Sequence, residues 1–217
     1  MRTPPTVIGN ATVLWGPELT LLEQTSLSLS EGRVGGSPRG AEVVDGSGLL
    51  FVPGFVDAHV HIGFADPAEV LRRGVTTVRD LGWPEAETFG LARASRSPSF
   101  DGPLVLAVGP ILTAPGGYPT RAAWAPEGTG RAVATPAEAR EAVRHLVDAG
   151  AHSIKVALNP PAGPVLDDDV LNEITAAAHA QDKKVTGHVY GADQLDKAIR
   201  CGMDELAHML MSEEELT

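Results

Sequence analysis

The chain has 217 residues, of which 43% are hydrophobic and 21% are charged, a composition typical of a globular protein with a sizeable core. The formal net charge of −11 argues against nucleic acid as the main partner, because phosphate binding needs concentrated lysine and arginine. No apolar run approaches the roughly 18 residues that cross a bilayer, so no membrane partner is expected. The first ten residues lack the apolar stretch of a secretory signal, and Cys201 is the single cysteine. Together these features favour a cytoplasmic protein without an internal disulfide.

Residues 1–53 are predicted to form a small β-rich domain. The segment 25–30 alternates polar and apolar residues, which is the period of a half-buried strand. The segment 41–44 is a second short strand candidate before the turn residues Asp45 and Gly46. No apolar stripe with the helical period occurs in this part of the chain.

From residue 54 onward, strands and helices alternate. The predicted strands are 55–60, 75–78, 104–108, 153–157, 185–189 and 205–209. Helices are predicted between them, and the clearest begins at the capping box Thr135-Pro136-Ala137-Glu138 and ends at Gly150. This alternation predicts an α/β fold with a parallel sheet, either open or closed into a (β/α) barrel. Polar residues at the strand ends favour the barrel, of which residues 54–217 supply about six of the usual eight strands.

The most informative segment is the first of these strands, which ends in His59-Val60-His61. Alternate strand residues share a face, so both imidazoles point the same way and could bind one cation. The alternative is that both are hydrogen-bonded polar residues at a strand end.

Three residues on other strands favour the metal site. Lys155 lies within an apolar strand, where a bare ammonium is costly to bury unless it is paired or chemically changed. His188 and His208 each lie at or near the end of a strand of their own. A single strand histidine is more often structural, but polar groups at matching depths on four strands favour a common site.

The residues Pro53-Gly54-Phe55-Val56-Asp57-Ala58-His59-Val60-His61 resemble the first-strand signature of the amidohydrolase superfamily. The segments 73–82, 112–119 and 150–156 resemble its imidazolonepropionase-like and Xaa-Pro dipeptidase branch, and the likeness runs from about Val43 to His208. The resemblance implies a (β/α)8-type hydrolase barrel, present in part, beside a composite N-terminal β-sandwich.

The resemblance also implies a two-metal centre. His59 and His61 would bind one divalent ion, most simply zinc, and His188 and His208 the second. Lys155, carboxylated by CO₂, would bridge both ions, and its burial would then be explained. A water held between the ions would attack an amide, peptide or ester carbonyl. The expected substrate is a small-molecule amide or a dipeptide, with cleavage before proline as one option.

This sequence departs from the family pattern at one catalytic position. The family places a metal-binding aspartate at the end of the eighth strand, and Asp66, Asp80 and Asp101 do not match that motif. The alternative function is therefore a half-protein or truncated subunit, inactive alone, that assembles with a C-terminal partner chain or with copies of itself. A catalytically silent relative is a third reading, disfavoured because all five ligands of this span are intact.

Candidate substrate contacts lie in the long connection from Gly109 to about Ala134 and after the fifth strand. Tyr118, Arg121 and Trp124 could contact substrate, with Arg121 pairing a carboxylate, or could belong to a packed lid. Tyr190 shares the strand face of His188 and could bond the attacked carbonyl. Asp57 and Asp80 are candidates for orienting the ligating histidines. The remaining histidines are expected to face solvent; they are His145, His152 and His179.

Overall fold

The computed structural model describes residues 5–30, 32–36 and 39–211. The first four residues, part of the stretch inspected for a secretory signal, lie outside this range. The chain separates into two compact units, Met1–Gly54 and Phe55–Thr217. Within the described residues, no helix has the length and apolar character that a membrane crossing requires.

The first unit contains a sheet centred on its first strand. Its five strands are β1 (Thr6–Trp15), β2 (Thr20–Ser30), β3 (Arg33–Val34), β4 (Glu42–Asp45) and β5 (Leu50–Phe51). The strand β1 pairs antiparallel with β2 and parallel with β4 and β5. The predicted strands at 25–30 and 41–44 fall on β2 and β4. The described residues of this unit form one sheet, and the sandwich stays a prediction.

The second unit is built on parallel strands, as the alternating pattern predicted. They are β6 (Phe55–Val60), β7 (Val75–Asp80), β8 (Leu104–Ala107), β9 (Ile111–Thr113), β10 (Gly130–Ala132), β11 (Ile154–Leu158), β12 (Val185–Val189) and β13 (Glu205–Leu206). The pairing orders are β6-β7-β8 and β10-β9-β11-β12-β13. The amide of His152 donates to the carbonyl of Ala107 at 2.7 Å, so the segment before β11 lies against the end of β8.

All six predicted strands are present in the second unit, and β9 and β10 are additional. Across the described residues, β6 pairs with β7 alone and β13 with β12 alone, so these strands do not close into a ring by pairing. The parallel α/β fold is thus observed, while the closed barrel stays a prediction.

Five α-helices connect the strands of this unit. They are α1 (Pro67–Arg72), α2 (Glu85–Ala94), α3 (Pro136–Ala149), α4 (Asp168–His179) and α5 (Ala192–Arg200). The capping box begins α3 as predicted, since the Thr135 hydroxyl accepts the Glu138 amide at 3.2 Å. Gly150 ends the helix with φ of 106°, a backbone conformation that favours glycine.

The main core lies between the helices and one face of the strands. Strand β11 is buried along its whole length. Its residues Ile154, Val156 and Leu158 pack in the core with Leu146 of α3. Because strand side chains alternate, Lys155 is turned to the opposite face. The fold therefore places this amine on the side of the strands away from the helices.

Candidate metal centre

The end of β6 brings two imidazoles together in defined orientations. The ring centroids of His59 and His61 are 5.6 Å apart. Nδ1 of His59 lies 3.0 Å from the carbonyl oxygen of Ala207, and Nδ1 of His61 lies 2.8 Å from that of Gly82. A carbonyl can only accept, so each ring carries a proton on Nδ1 and donates it. Both rings therefore keep an Nε2 lone pair for a metal ion.

Asp80 supports His61 through the backbone of Gly82. Its carboxylate is fully buried and accepts bonds from the Thr88 hydroxyl at 2.7 Å and from the Gly82 amide at 3.1 Å. Burial raises the pKa of Asp80, and the two hydrogen bonds oppose that effect. Asp80 fixes the N–H of Gly82, in the Leu81–Gly82 peptide, and the carbonyl of Gly82, in the following peptide, holds His61. The orienting role predicted for Asp80 is consequently indirect.

Asp57 does not reach an imidazole ring. Its carboxylate accepts the backbone amide of His59 at 3.1 Å. It therefore supports the backbone of the strand end and leaves the ring orientation of His59 to Ala207.

A Gly82→Ala substitution is expected to weaken zinc binding at the metal centre predicted from the sequence by about 10–100-fold, the usual effect of disturbing a ligand's support. Gly82 has φ of +147°, and an added Cβ would lie 2.6 Å from Ile111 Cδ1, so the peptide that holds His61 must move. Isothermal titration with Zn²⁺ measures the effect. Gly90→Ala is the matched control, because nothing lies within 4 Å of its added Cβ, and alanine in α2 should raise stability by about 0.5–1 kcal/mol. Equal zinc affinity in both variants would contradict the role of the Gly82 carbonyl.

His188 and His208 form a second pair, joined directly. Nδ1 of His188 lies 2.7 Å from Nε2 of His208. Nε2 of His188 lies 3.0 Å from Nδ2 of Asn159, and Nδ1 of His208 lies 2.8 Å from the carbonyl oxygen of Met209. The rings of His208 and His59 stack with centroids 5.7 Å apart, which links the two pairs.

The two pairs are held at present by hydrogen bonds. Among the described residues, no three histidine, cysteine, aspartate or glutamate side chains are arranged to enclose a metal ion. Two imidazole nitrogens bound to one tetrahedral zinc ion are about 3.3 Å apart, given Zn–N bonds of about 2.0–2.1 Å. An ion between His188 and His208 would therefore replace their hydrogen bond and separate the nitrogens slightly.

Lys155 is buried beside these imidazoles. Its side chain is 1% exposed, and its Nζ atom has no hydrogen-bond partner. Burial, reinforced by the positive charge of Arg79, lowers the pKa of Lys155 to about 7. Its own charge in turn lowers the pKa of His59, His61 and His188, after burial as the main cause. The pKa of His59 falls to about 4 and that of His188 to about 3.

The structure thus brings all five predicted ligands into one cluster. Outside it, His145 and His179 bond the carboxylates of Glu85 and Asp204 at 2.7 and 2.9 Å, with nearly half of each imidazole exposed. His152 is exposed as well.

A charged cluster next to Lys155 was not predicted from the sequence. Arg79 of β7 forms an ion pair with Glu205 of β13 and donates from Nε to the Ala58 carbonyl at 2.9 Å. Thr186 of β12 donates to the same Glu205 oxygen at 2.6 Å. Glu205 thereby ties β13, which leads to His208, to two other strands. Lys155 was singled out in the sequence as a charged residue within an apolar strand. The same signal is present at Arg79.

Aromatic side chains cover the imidazoles. The Tyr118 ring stacks on His188 with centroids 4.6 Å apart and planes at 22°, and Trp124 lies 4.7 Å from His61. Trp124 Nε1 donates to the Tyr118 hydroxyl at 3.1 Å, so the two rings are joined. Arg121 is exposed, and Tyr190 is half-buried two residues after His188. Two of the four predicted substrate contacts therefore lie directly against the cluster.

The sequence profile of the amidohydrolase family matches residues 50–213, which is most of the chain. The chain belongs to the amidohydrolase family. The predicted superfamily membership is thereby confirmed.

Relatives of this amidohydrolase extend beyond its length. An uncharacterized protein of Mycobacterium tuberculosis is 32% identical over a match that covers 88% of this chain and 53% of the relative. The amidohydrolase thus spans about half the length of that relative.

Solved structures of similar fold include prolidases. A putative prolidase from Bifidobacterium longum superposes with a TM-score of 0.79 at 24% identity, over 95% of this amidohydrolase and 54% of that chain. A prolidase solved with N-methylphosphonate-L-proline gives a TM-score of 0.77 at 23% identity, over 93% and 60%. At these identities the likeness concerns the fold.

Proposed function

We propose that this amidohydrolase hydrolyses amide or peptide bonds with two divalent metal ions, most simply zinc. His59 and His61 would hold one ion, His188 and His208 the other, and a carboxylated Lys155 would bridge them. The observation that carries this proposal is the Lys155 amine, which is buried without a hydrogen-bond partner next to three imidazoles. A bridging anion at this position would explain both its burial and its missing partner.

The chemistry of the donor set fits such ions. The lowered pKa values of His59, His61 and His188 keep these imidazoles neutral, with their lone pairs available, at neutral pH. His59 and His61 already present Nε2, because their Nδ1 protons are donated to carbonyl groups. Bound at this centre, two cations would polarise a scissile carbonyl and lower the pKa of a water molecule.

Lys155 is suited to react with CO₂. With a pKa of about 7, a large fraction of the amine is uncharged at neutral pH and carries a free lone pair. That lone pair forms an N–C bond to CO₂, one C–O π bond breaks, and the nitrogen releases a proton to water. The product is an anionic carbamate, whose two oxygens are the type of ligand that could bind divalent cations.

The aromatic cover would shape the substrate side. Tyr118 and Trp124 shield His188 and His61 from water and offer flat apolar surfaces to a substrate. Arg121 would pair with a substrate carboxylate at the exposed side, and Tyr190 would bond the attacked carbonyl. A dipeptide with C-terminal proline meets these requirements, and a solved Xaa-Pro dipeptidase is among the structures of similar fold.

The alternative, that this chain acts only after assembly with further strands, is favoured by exposed apolar residues on its outer strands. Phe55 and Val56 of β6 are 62% and 67% exposed, and Leu206 of β13 is 37% exposed. Open strand edges with apolar side chains invite association. The metal site would consist of the same residues whether the chain acts alone or only after assembly.

One experiment tests both versions. The purified chain, incubated with Zn²⁺ and bicarbonate and separated by size, is expected to hold two zinc ions per cluster by elemental analysis. It should also release proline from acyl-proline dipeptides. His188→Ala should retain about one ion and lose at least about 10³-fold in hydrolysis, since one metal and its carbonyl contact are removed. His145→Ala, a surface histidine, is the matched control. Activity confined to associated species would favour the alternative, and the absence of bound zinc in every fraction would refute the metal centre.

A further inference from the structure

Both ring nitrogens of His188 have partners, and one partner is Asn159. Asn159 lies directly after β11, between Leu158 and Pro160. Its Nδ2 atom is 3.0 Å from His188 Nε2, on the side of the ring away from His208. The carboxamide of Asn159 can therefore determine which nitrogen of His188 carries the proton.

The proton positions in the free cluster follow from donor and acceptor roles. Nδ2 of Asn159 donates, so His188 Nε2 accepts and the ring proton is on Nδ1. This Nδ1–H donates to His208 Nε2, and His208 donates from Nδ1 to the Met209 carbonyl. Every contact then joins a donor to an acceptor. One polar atom lacks a hydrogen bond: Oδ1 of Asn159 is buried without a partner.

The same arrangement prevents a cation from binding between His188 and His208. The two nitrogens that face each other, Nδ1 and Nε2, must both be bare to bind an ion, and Nδ1 carries the proton. For a cation to bind there, the His188 proton must be on Nε2. In the present orientation of Asn159, this Nε2–H would face the Nδ2 hydrogens, and two donors repel each other. A half-turn of the carboxamide about Cβ–Cγ exchanges Nδ2 with Oδ1 and allows Nε2–H to donate to Oδ1. Without a cation, this second arrangement would bring two bare lone pairs together at 2.7 Å.

We propose that Asn159 is a positioning residue with two settings: it donates to His188 in the free chain and accepts from His188 when a divalent cation binds between His188 and His208. The inference rests on the proposed metal centre and adds a residue to it. The change conserves protons, since one leaves Nδ1 to water and one is taken up from water at Nε2. Asparagine suits this role because its carboxamide both donates and accepts, whereas aspartate only accepts and leucine does neither.

Nitrogen-15 NMR of the histidine-labelled chain, residues 1–217, tests the proposal, because it distinguishes the two neutral tautomers of a ring. In the wild type, His188 should carry its proton on Nδ1 without zinc and on Nε2 with Zn²⁺. In Asn159→Asp the population of the Nε2 tautomer should rise above that of the wild type without zinc, and the proton should be on Nε2 with Zn²⁺, with zinc affinity equal to or above that of the wild type. In Asn159→Leu, zinc affinity should fall about 10–100-fold, the usual effect of losing a ligand's hydrogen-bond partner.

Asn172→Asp and Asn172→Leu are the matched controls, since Asn172 is an exposed asparagine of α4. Both should leave the tautomer and the zinc affinity unchanged. If wild-type His188 keeps one tautomer with and without zinc, or if Asn159→Leu binds zinc as tightly as the wild type, the two-setting role is overturned. If the wild type binds no zinc at all, the proposed function fails together with it.

Discussion

The Lys155→Met variant is expected to be more stable than the wild type at neutral pH and unable to hold the proposed pair of zinc ions. The wild-type amine is 1% exposed and has no hydrogen-bond partner, so folding carries a cationic group out of water with only the partial compensation of the Glu205 charge. Methionine has a similar length and no charge. The expected gain in the free energy of unfolding is on the order of a few kcal/mol, because the wild-type pKa falls from 10.5 to about 7.

The pH dependence of this difference has a definite sign. Between pH 7 and 10.5, the unfolded chain keeps the Lys155 proton that the folded chain releases, so wild-type stability rises with pH in this window. Below pH 7 both states bind the proton, and the full penalty applies. The advantage of Lys155→Met should therefore be largest at and below pH 7 and should shrink toward pH 10.5.

Urea unfolding at pH 7, 8.5 and 10 measures this difference, in buffer free of metal and CO₂ so that the wild-type amine stays unmodified. Lys184→Met is the matched control, because Lys184 is an exposed lysine of the same unit. Its effect on stability should stay within about 0.5 kcal/mol at every pH. A Lys155→Met variant less stable than the wild type, or a difference that does not change with pH, would contradict the burial of an incompletely compensated amine.

The residues of the cluster could be picked out because several of them leave a local mark in the sequence. His59 and His61 stand two apart on a strand, and Lys155 interrupts an apolar run. Strand alternation converts both marks into a shared face, and parallel strands bring such faces to one end of the sheet. The fold class followed from the same alternation of strands and helices.

The missed features depend on partners far along the chain. Asn159 follows a strand in a proline-rich turn, and its role appears only through His188, 29 residues later. The strands β9 and β10 have three residues each, too few for a periodic pattern, and they exist through their pairing. Helix α2 has no distinct mark that would fix its bounds, because Gly90 lies in its middle and few apolar residues mark its buried side.

Removing Glu205 is expected to destabilise the chain strongly, because Arg79 would be left without its carboxylate next to another cationic group. Breaking a buried ion pair from one side costs about 3–5 kcal/mol. Arg79 and Glu205 keep 19% and 28% of their side-chain exposure, so roughly 2–4 kcal/mol is expected for Glu205→Leu. The lost bond from Thr186 adds to this, and the carboxylate no longer raises the pKa of Lys155.

A double-mutant cycle in urea separates the pair from its surroundings. The Arg79→Leu/Glu205→Leu variant should recover most of the stability that Glu205→Leu loses, since no charge is then left unpaired. The exposed pair Arg72–Asp101 serves as control, and each of its single alanine variants should cost less than about 1 kcal/mol.

Zinc affinity measured on the Arg79 and Glu205 variants distinguishes an effect of Glu205 on the position of His208 from an effect of its charge. Glu205 lies three residues before His208, so zinc affinity should fall in Glu205→Leu because the His208 imidazole is displaced. Zinc affinity should stay low in the double variant. That variant restores the charge balance but not the contacts of Glu205 that join β13 to β7 and β12. Stability and zinc affinity that recover together would instead mean that Glu205 acts through charge alone.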